Sequence, residues 1–386
     1  MMKKLLFVLA VSVAAGALAQ VPVKVTINFS KKAISVTGDA ATAEVLRNDL
    51  RLSGAFENKS AGEAEYVARV SGNNCTVVRG QESLFARSYQ GTGRALAHAM
   101  ADDIVQTVTG QRGIAQTQIA FIYKRKPRVK ELAVMDYDGF NVQVLTRDNS
   151  ISGHPRWSPD GQKIMYTSYW KHFPDVLAVD MTAHTRQVLA NFPGVNTGAD
   201  VSPDGNAIAL TLSKDGNPEL YTMSARGGGF RRLSNTDCIE SSPAWSPDGG
   251  SIAYVSNASG SPQIWLVDRS GGEPRRLTVS PSYNTEPSWS RPPAGSEMKP
   301  MIAVTSQVGG RFQIGIYDGD RAVTPVAADG ADNSDPSWAP DGRHIVFAKA
   351  RNYKSRLYLL DVRTKEQLEL PAIEGEASEP AWGPWH

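Results

Sequence analysis

One motif returns along most of the chain, and its spacing constrains the fold more than any other feature. It reads as a short polar stretch, Pro, a further residue, Trp, and then Ser-Pro-Asp-Gly. It stands as His154-Pro155-Arg156-Trp157-Ser158-Pro159-Asp160-Gly161 and returns as Asp200-Val201-Ser202-Pro203-Asp204-Gly205, with Val in the Trp place. Pro243-Ala244-Trp245-Ser246-Pro247-Asp248-Gly249 and Pro287-Ser288-Trp289-Ser290 follow. Pro336-Ser337-Trp338-Ala339-Pro340-Asp341-Gly342 and Pro380-Ala381-Trp382-Gly383-Pro384 complete the set. The anchor positions 157, 201, 245, 289, 338 and 382 are separated by 44, 44, 44, 49 and 44 residues. A fixed period of about 40–45 residues is the spacing of propeller blades, each a four-stranded sheet.

The contents of a unit agree. In the third, Trp245 ends an inner strand and Asp248-Gly249 makes the turn. Ser251–Ser256 alternates like a strand, and Gln263–Val267 and Pro274–Leu277 supply two more. Asp-Gly between alternating runs is a strong hairpin signal, because Gly accepts the positive φ of a tight turn. Each Trp can fill the space between adjacent blades, so these rings, Trp245 and Trp289 among them, are read as core. In the longer unit Arg291-Pro292-Pro293-Ala294-Gly295 replaces Pro-Asp-Gly, and a longer loop is expected there. The strands Ile119–Tyr123, Glu131–Asp136 and Val142–Leu145 lack an inner partner, and Glu379–Trp385 is an inner unit with nothing after it. Joining the two makes a sixth blade and closes the ring, which removes exposed sheet edges. The expectation is a mainly β chain, a six-bladed β-propeller over 116–386, preceded by a small α+β domain over 20–115. In that domain Ala41–Leu52 and Thr92–Thr109 have helical periodicity, with Gly54 and Gly110 as stops. Tyr66–Val70, Cys75–Arg79 and Leu84–Tyr89 read as its strands.

Residues 1–19 read as a cleaved secretory signal. Lys3 and Lys4 precede an apolar run from Leu5 to Ala15, and Ala17-Leu18-Ala19 has the small-x-small form of a cleavage site. The run is too short for a membrane span, which needs about 20 residues, so no direct membrane insertion is expected. The 41 basic and 39 acidic residues nearly cancel. Read as a neutral chain without basic runs, it gives no electrostatic case for nucleic acid or anionic lipid. Export permits disulfides, but Cys75 and Cys238 fall in different expected domains and are read as two free thiols.

Propellers also occur in hydrolases, so catalytic groups matter. The chain has no Gly-x-Ser-x-Gly elbow, no His-Glu-x-x-His and no phosphate loop. It stops where the propeller closes, so no hydrolase domain is expected to follow. Two scattered cysteines do not make a zinc site. No enzyme, cofactor or metal is expected. The polar residues of the repeats carry the remaining signal. Glu286, Asp335 and Glu379 stand three before the anchor in consecutive units, where His154, Gly198 and Ser242 stand elsewhere. Asn196, Asn284 and Asn333 stand five before it, as does Glu240. These segments lead into inner strands and converge on one axis. His154, Asn196, Glu240, Asn284, Glu286, Asn333, Asp335 and Glu379 are therefore the candidate partner-binding residues of a channel mouth. A ring of carboxylates there can hold a cation or accept donors from a partner. The alternatives are a hydrated rim, or side chains that only satisfy turn backbones.

Several segments resemble the TolB family, the periplasmic component of the Tol–Pal envelope system. They are Asp49-Leu50-Arg51-Leu52-Ser53-Gly54-Ala55-Phe56, Thr117-Gln118-Ile119-Ala120-Phe121, Asp136-Tyr137-Asp138-Gly139-Phe140-Asn141 and Asn284-Thr285-Glu286-Pro287. The segment before Ala41 is short and departs from the family pattern, and Gly383 stands where Ser is usual. The resemblance implies a periplasmic, non-enzymatic adaptor, expected to be a monomer. It implies two partners: a Pal-like outer-membrane lipoprotein on the propeller face around the channel, and a TolA-like inner-membrane protein at the extreme N-terminus. The second maps to Gln20, Val21, Pro22, Val23 and Lys24, whose alternation suits strand addition to a sheet edge. A peptidase-related propeller and a carbohydrate- or ligand-binding envelope propeller are the competing readings.

Overall fold

The computed structural model describes residues 30–292, 299–371 and 375–385. The expected signal segment and Gln20–Lys24 lie outside the described residues, as does part of the 291–295 loop.

The N-terminal α+β region runs β1 (Lys32–Gly38), α1 (Ala40–Leu52), β2 (Phe56–Asn58), β3 (Tyr66–Ser71), β4 (Asn74–Arg79), β5 (Glu82–Ser88) and α2 (Gly93–Thr109). The strands form one sheet in the order β2-β1-β3-β4-β5. β1 and β2 were not expected. β1 buries Ile34 and Val36 on one face, too short a pattern to stand out in sequence. It pairs in parallel with both β2 and β3, so tertiary contacts define it. Helix α1 starts on Asp39, whose carboxylate accepts the Ala41 N–H, and buries Ala43, Leu46 and Leu50. Helix α2 buries Leu96, Met100 and Ile104 and ends on Gly110 in the left-handed conformation. Cys75 and Cys238 are free thiols.

Six four-stranded sheets follow. Their inner strands are Ser152–Trp157, Asn196–Val201, Glu240–Trp245, Asn284–Trp289, Asp332–Trp338 and Glu376–Trp382, in blades one to six. The sixth is composite. Glu376–Trp382 pairs with Gln118–Lys126, with Trp382 opposite Ile119, and the sheet continues through Val129–Asp136 and Gln143–Val144. Trp157, Trp245, Trp338 and Trp382 are buried at blade junctions. Trp289 departs from the expectation: it is half-buried.

The N-terminal region and the propeller share one apolar cluster, from Ile34 and Leu46 through Ile104 to Ile119, Tyr137, Leu359 and Trp382. Polar contacts pin it. Arg343 donates to the Gly54 carbonyl at 2.9 Å and is paired with Asp361. Gly54 is required there. It holds φ +65°, and a Cβ would lie 2.4 Å from the Asp361 carboxylate. Asp49 on α1 accepts the Tyr137 hydroxyl at 2.9 Å and meets His98 Nδ1 at 2.7 Å. Two segments far apart in sequence, around Asp49 and around Tyr137, are thereby joined.

Candidate functional site: the axial channel and its mouth

Every inner strand carries the same irregularity. In the fourth blade Thr285 pairs with Thr305 and Ser288 with Ala303, so Glu286 and Pro287 together face one residue. The register shifts at the equivalent place in the other five blades. This is a β-bulge, which bends a strand and re-aims a side chain. The bulged residue is left-handed in all six: His154 (φ 53°), Gly198 (66°), Ser242 (50°), Glu286 (55°), Asp335 (55°) and Glu379 (50°). Five of these are not glycine, so the conformation costs about 1 kcal/mol or more at each. Pro follows in five blades and Ala199 in the sixth case. Pro is tolerated because the bulge leaves this position out of the ladder.

The six bulged residues line one end of the channel together. The next channel-facing positions, Arg156, Asp200, Ala244, Ser288, Ser337 and Ala381, line its other end with the Trp-Ser-Pro turns. Channel side chains also stitch blades together. Glu379 accepts the His154 N–H at 2.7 Å, and Glu286 accepts the Asp335 N–H at 3.0 Å. Below them Asp200 accepts from Trp245 N at 2.7 Å, Ser288 Oγ from Trp338 N at 3.2 Å, and Ser337 Oγ from Trp382 N at 2.9 Å. Satisfying backbone groups was the alternative reading of these residues; sequence reasoning missed the bulge itself, because a bulge is a matter of φ and not of periodicity. The signal available was the residue before Pro, three before each anchor.

The electrostatics follow from crowding. Burial pushes the Asp335 carboxyl well above the usual carboxylate range, and the Glu286 and Glu379 carboxylates beside it add to the push. The Ser334 hydroxyl donates to Asp335 at 2.8 Å. Lys130 lies 3.4 Å from Glu379. Burial also raises Asp200, against the opposing effect of Arg156.

The expected mouth residues divide. His154, Glu286, Asp335 and Glu379 come together around the channel. Asn196, Glu240, Asn284 and Asn333 do not: they are fully buried, and they bond to groups of the scaffold. Asn196 accepts from Phe192 N and donates to the Phe192 and Pro174 carbonyls. Asn284 donates to Gln263 and Pro281 and accepts from Ser306, and Asn333 donates to the Ala327 carbonyl and Asp329. Glu240 accepts from Thr236 and Ser256. Two residues separate a channel position from a buried one, so these four are corrected from contact residues to supports of the loops. Gly198 and Ser242 complete the ring instead.

A second cluster lies between the two parts of the chain. Asp49, His98 and Asp138 bring ligand-type atoms close together. His98 Nε2 is 3.8 Å from Asp136 and 3.9 Å from Asp138, while Arg94 pairs with Asp138. The carboxylates there are balanced by His98 and Arg94, which makes the cluster a latch between α1, α2 and the sixth blade.

A family model described as the TolB β-propeller domain (PD40) matches residues 105–386, well over half of the chain. The chain belongs to the TolB propeller family. A solved TolB structure from Acinetobacter baumannii superposes with a TM-score of 0.81 at 25% identity, covering 92% of this chain and 97% of that one. A structure described as a putative TolB from Agrobacterium tumefaciens shares the fold, with a TM-score of 0.52 at 20% identity over 70% of this chain and all of that one. Among curated relatives, the Tol-Pal system protein TolB of Jannaschia sp. is 45% identical over 103 residues, 26% of this chain and 23% of its own length. The Roseobacter denitrificans protein of the same name is 40% identical over 104 residues, 26% of this chain and 24% of its own. The matched stretch thus spans about a quarter of these relatives.

Proposed function

We propose that this chain is a periplasmic, non-enzymatic adaptor of the Tol–Pal system. It links a Pal-like outer-membrane lipoprotein, docked over the channel mouth, to a TolA-like inner-membrane protein held by the N-terminal segment. In this reading residues 1–19 are an export signal, 20–115 the α+β domain and 116–386 the propeller. The link serves envelope integrity and cell division.

One observation carries the reading. The channel face bearing His154, Glu286, Asp335 and Glu379 is also the face where exposed apolar side chains gather. Ile151, Tyr169, Trp170, Phe173, Ile239, Val279, Val308 and Tyr353 are exposed. All sit at strand ends or loops that open on the same side as the bulges. Apolar exposure collected on one face marks an interaction surface. The opposite ends of blades five and six carry Arg343, Asp361 and Tyr137, which bind the N-terminal region. That leaves the mouth face for a partner.

Calorimetry between the mature chain and the soluble domain of its lipoprotein tests the proposal. We expect saturable binding with a dissociation constant of micromolar or below, and removal of Gln20–Lys24 should abolish capture of the TolA-like domain alone. No binding of the lipoprotein domain by the intact chain would remove the adaptor reading.

A further inference from the structure

The near-neutral overall charge conceals one basic run, which corrects the reading of a chain without basic runs. Lys124-Arg125-Lys126-Pro127-Arg128-Val129-Lys130 places five cations in seven residues. The structure folds this run into the hairpin between the first two strands of the composite blade, with Lys126 paired to Val129 across the turn. Arg125, Lys126 and Arg128 are exposed. The hairpin opens on the mouth face, since Lys124 pairs with Glu376 at the start of the innermost strand.

The hairpin abuts an apolar loop. Lys130 bridges to Ile151 in the first blade, and its N–H bonds the Ser150 carbonyl at 2.9 Å. Ile151 in turn accepts the Tyr169 N–H at 2.9 Å. Tyr169, Trp170 and Phe173 follow on that loop, 40%, 50% and 67% exposed, next to Ile151 at 41%. An exposed Trp and Phe within four residues is unusual for a monomer surface, and Trp and Tyr are enriched at binding hot spots. The loop is not slack. His172 N bonds the Tyr169 carbonyl at 3.0 Å, and buried Asn196 holds the Pro174 carbonyl at 3.0 Å. The Trp170 ring lies 5.3 Å from the Arg186 guanidinium, which Asp148 fixes at 2.6 Å. Aromatic groups held in place lose little entropy on binding.

We infer that the basic hairpin 124–130 and the aromatic loop 169–173 form one docking surface on the rim of the mouth, shaped for the acidic surface of a folded protein partner. The apolar rings supply buried contact, and the cations supply complementary charge and steering. The pattern across the face favours a protein over an anionic bilayer. A bilayer laid flat on this face would also cover the half-buried carboxylates of Glu286 and Glu379, whereas a protein can present acidic groups to the rim and donors to the channel.

The inference rests on the docking reading of the mouth face, and the test separates the two. Calorimetry and stopped-flow binding would use the mature chain, the soluble lipoprotein domain and phosphatidylglycerol vesicles. Trp170→Ala with Phe173→Ala should weaken lipoprotein binding by at least about 10-fold. Lys126→Glu with Arg128→Glu should slow association several-fold at low salt, and the difference should shrink at about 1 M salt, where charge is screened within ~3 Å. These positions are exposed, so unchanged melting curves verify the fold. If the unaltered chain binds the domain and both double variants match it, this surface is overturned and the adaptor reading stands. If the unaltered chain ignores the domain, the adaptor reading falls and this inference with it. Binding to the vesicles alone, lost in both variants, would replace the protein partner with a membrane.

Discussion

The Glu286 carboxylate accepts the backbone N–H of Asp335 at 3.0 Å across the junction of blades four and five, while the Asp335 carboxyl stands beside it in the channel. The two acids therefore have different duties. Removing Glu286 leaves a partly buried bulge N–H with the Thr305 hydroxyl, 3.1 Å away. Glu286→Ala should cost about 1–3 kcal/mol in chemical denaturation, beyond any effect on partners. Asp335→Asn should behave oppositely. An acid whose folded pKa is raised costs stability once pH exceeds its unfolded value, so the amide should stabilise the chain at neutral pH. The gap should close below about pH 4, where the acid is protonated in both states. A destabilised Asp335→Asn at pH 7 would refute this.

His98 gives a pH dependence of the same sign in a higher window, because its folded pKa is also raised. Burial opposes its charge, but Asp136, Asp49 and Asp138 override burial and push its pKa up to about 9. Asp49 is itself raised to about 6 by burial. The stabilisation from charged His98 is full below its ordinary pKa of 6.5 and is lost as pH rises through about 9. Urea denaturation between pH 6 and 10 should show a fall on the order of 2 kcal/mol. Gln in place of His98 should flatten that fall and weaken the chain at pH 7.

The ring was legible because the Trp-Ser-Pro-Asp-Gly pattern returns, whole or in part, at a near-constant spacing. The acidic ring was legible because Glu286, Asp335 and Glu379 share one position. What separated the true channel residues from Asn196, Asn284 and Asn333 was not visible, since a polar residue reads alike whether it faces water or caps a buried turn. The bulge, two residues on, decides which way each side chain points. His98 and Asp49 were also silent: each lies within a helix whose apolar period hides it, and only the fold joins them at 2.7 Å. The Lys124–Lys130 run was readable but overlooked, the chain being read as one without basic runs because its net charge is near zero.

The junction between blades one and two tests how the tryptophans pack. At the other junctions each Trp shares a buried cluster with a small residue of the preceding blade: Ala120 with Trp157, Ala209 with Trp245, Ala253 with Trp289, Ala303 with Trp338 and Val346 with Trp382. Where Val201 replaces Trp, its neighbour in that place is Met165. The longer thioether chain fills only part of the missing indole's place: a cavity of about 560 Å³, lined by Met165, Leu189, Val201 and Ile208 among others, opens at this junction. Val201→Trp should therefore be accommodated there and leave stability unchanged or raised, where overpacking would cost about 1–3 kcal/mol. Chemical denaturation checks it, and a loss of that size would mean that Met165 already closes the slot.

The last prediction concerns Glu219 and Glu240, both fully buried at the junction of blades two and three. Glu219 is held by Arg232 at 2.7 Å, by Ser234 and by the Thr236 N–H at 2.8 Å, and stays below the usual range despite its burial. Glu240 has no cation of its own, only the Thr236 and Ser256 hydroxyls. Burial, with Glu219 beside it, pushes Glu240 up to about 7. Its folded pKa lies above its unfolded value of 4.5, so the chain loses stability as pH rises from about 4.5 to 7 and levels off above. Glu240→Gln keeps the hydroxyl bonds and removes the charge. It should be more stable than the native chain above pH 7, on the order of 2 kcal/mol, and equal to it near pH 4. The same pair anchors the loop that carries exposed Ile239 on the mouth face. Hydrogen exchange in residues 234–239 should therefore quicken between pH 6 and 8 in the native chain, beyond the intrinsic rate, and not in Glu240→Gln. Matching profiles in the two proteins would show that the Glu240 proton does not hold the loop.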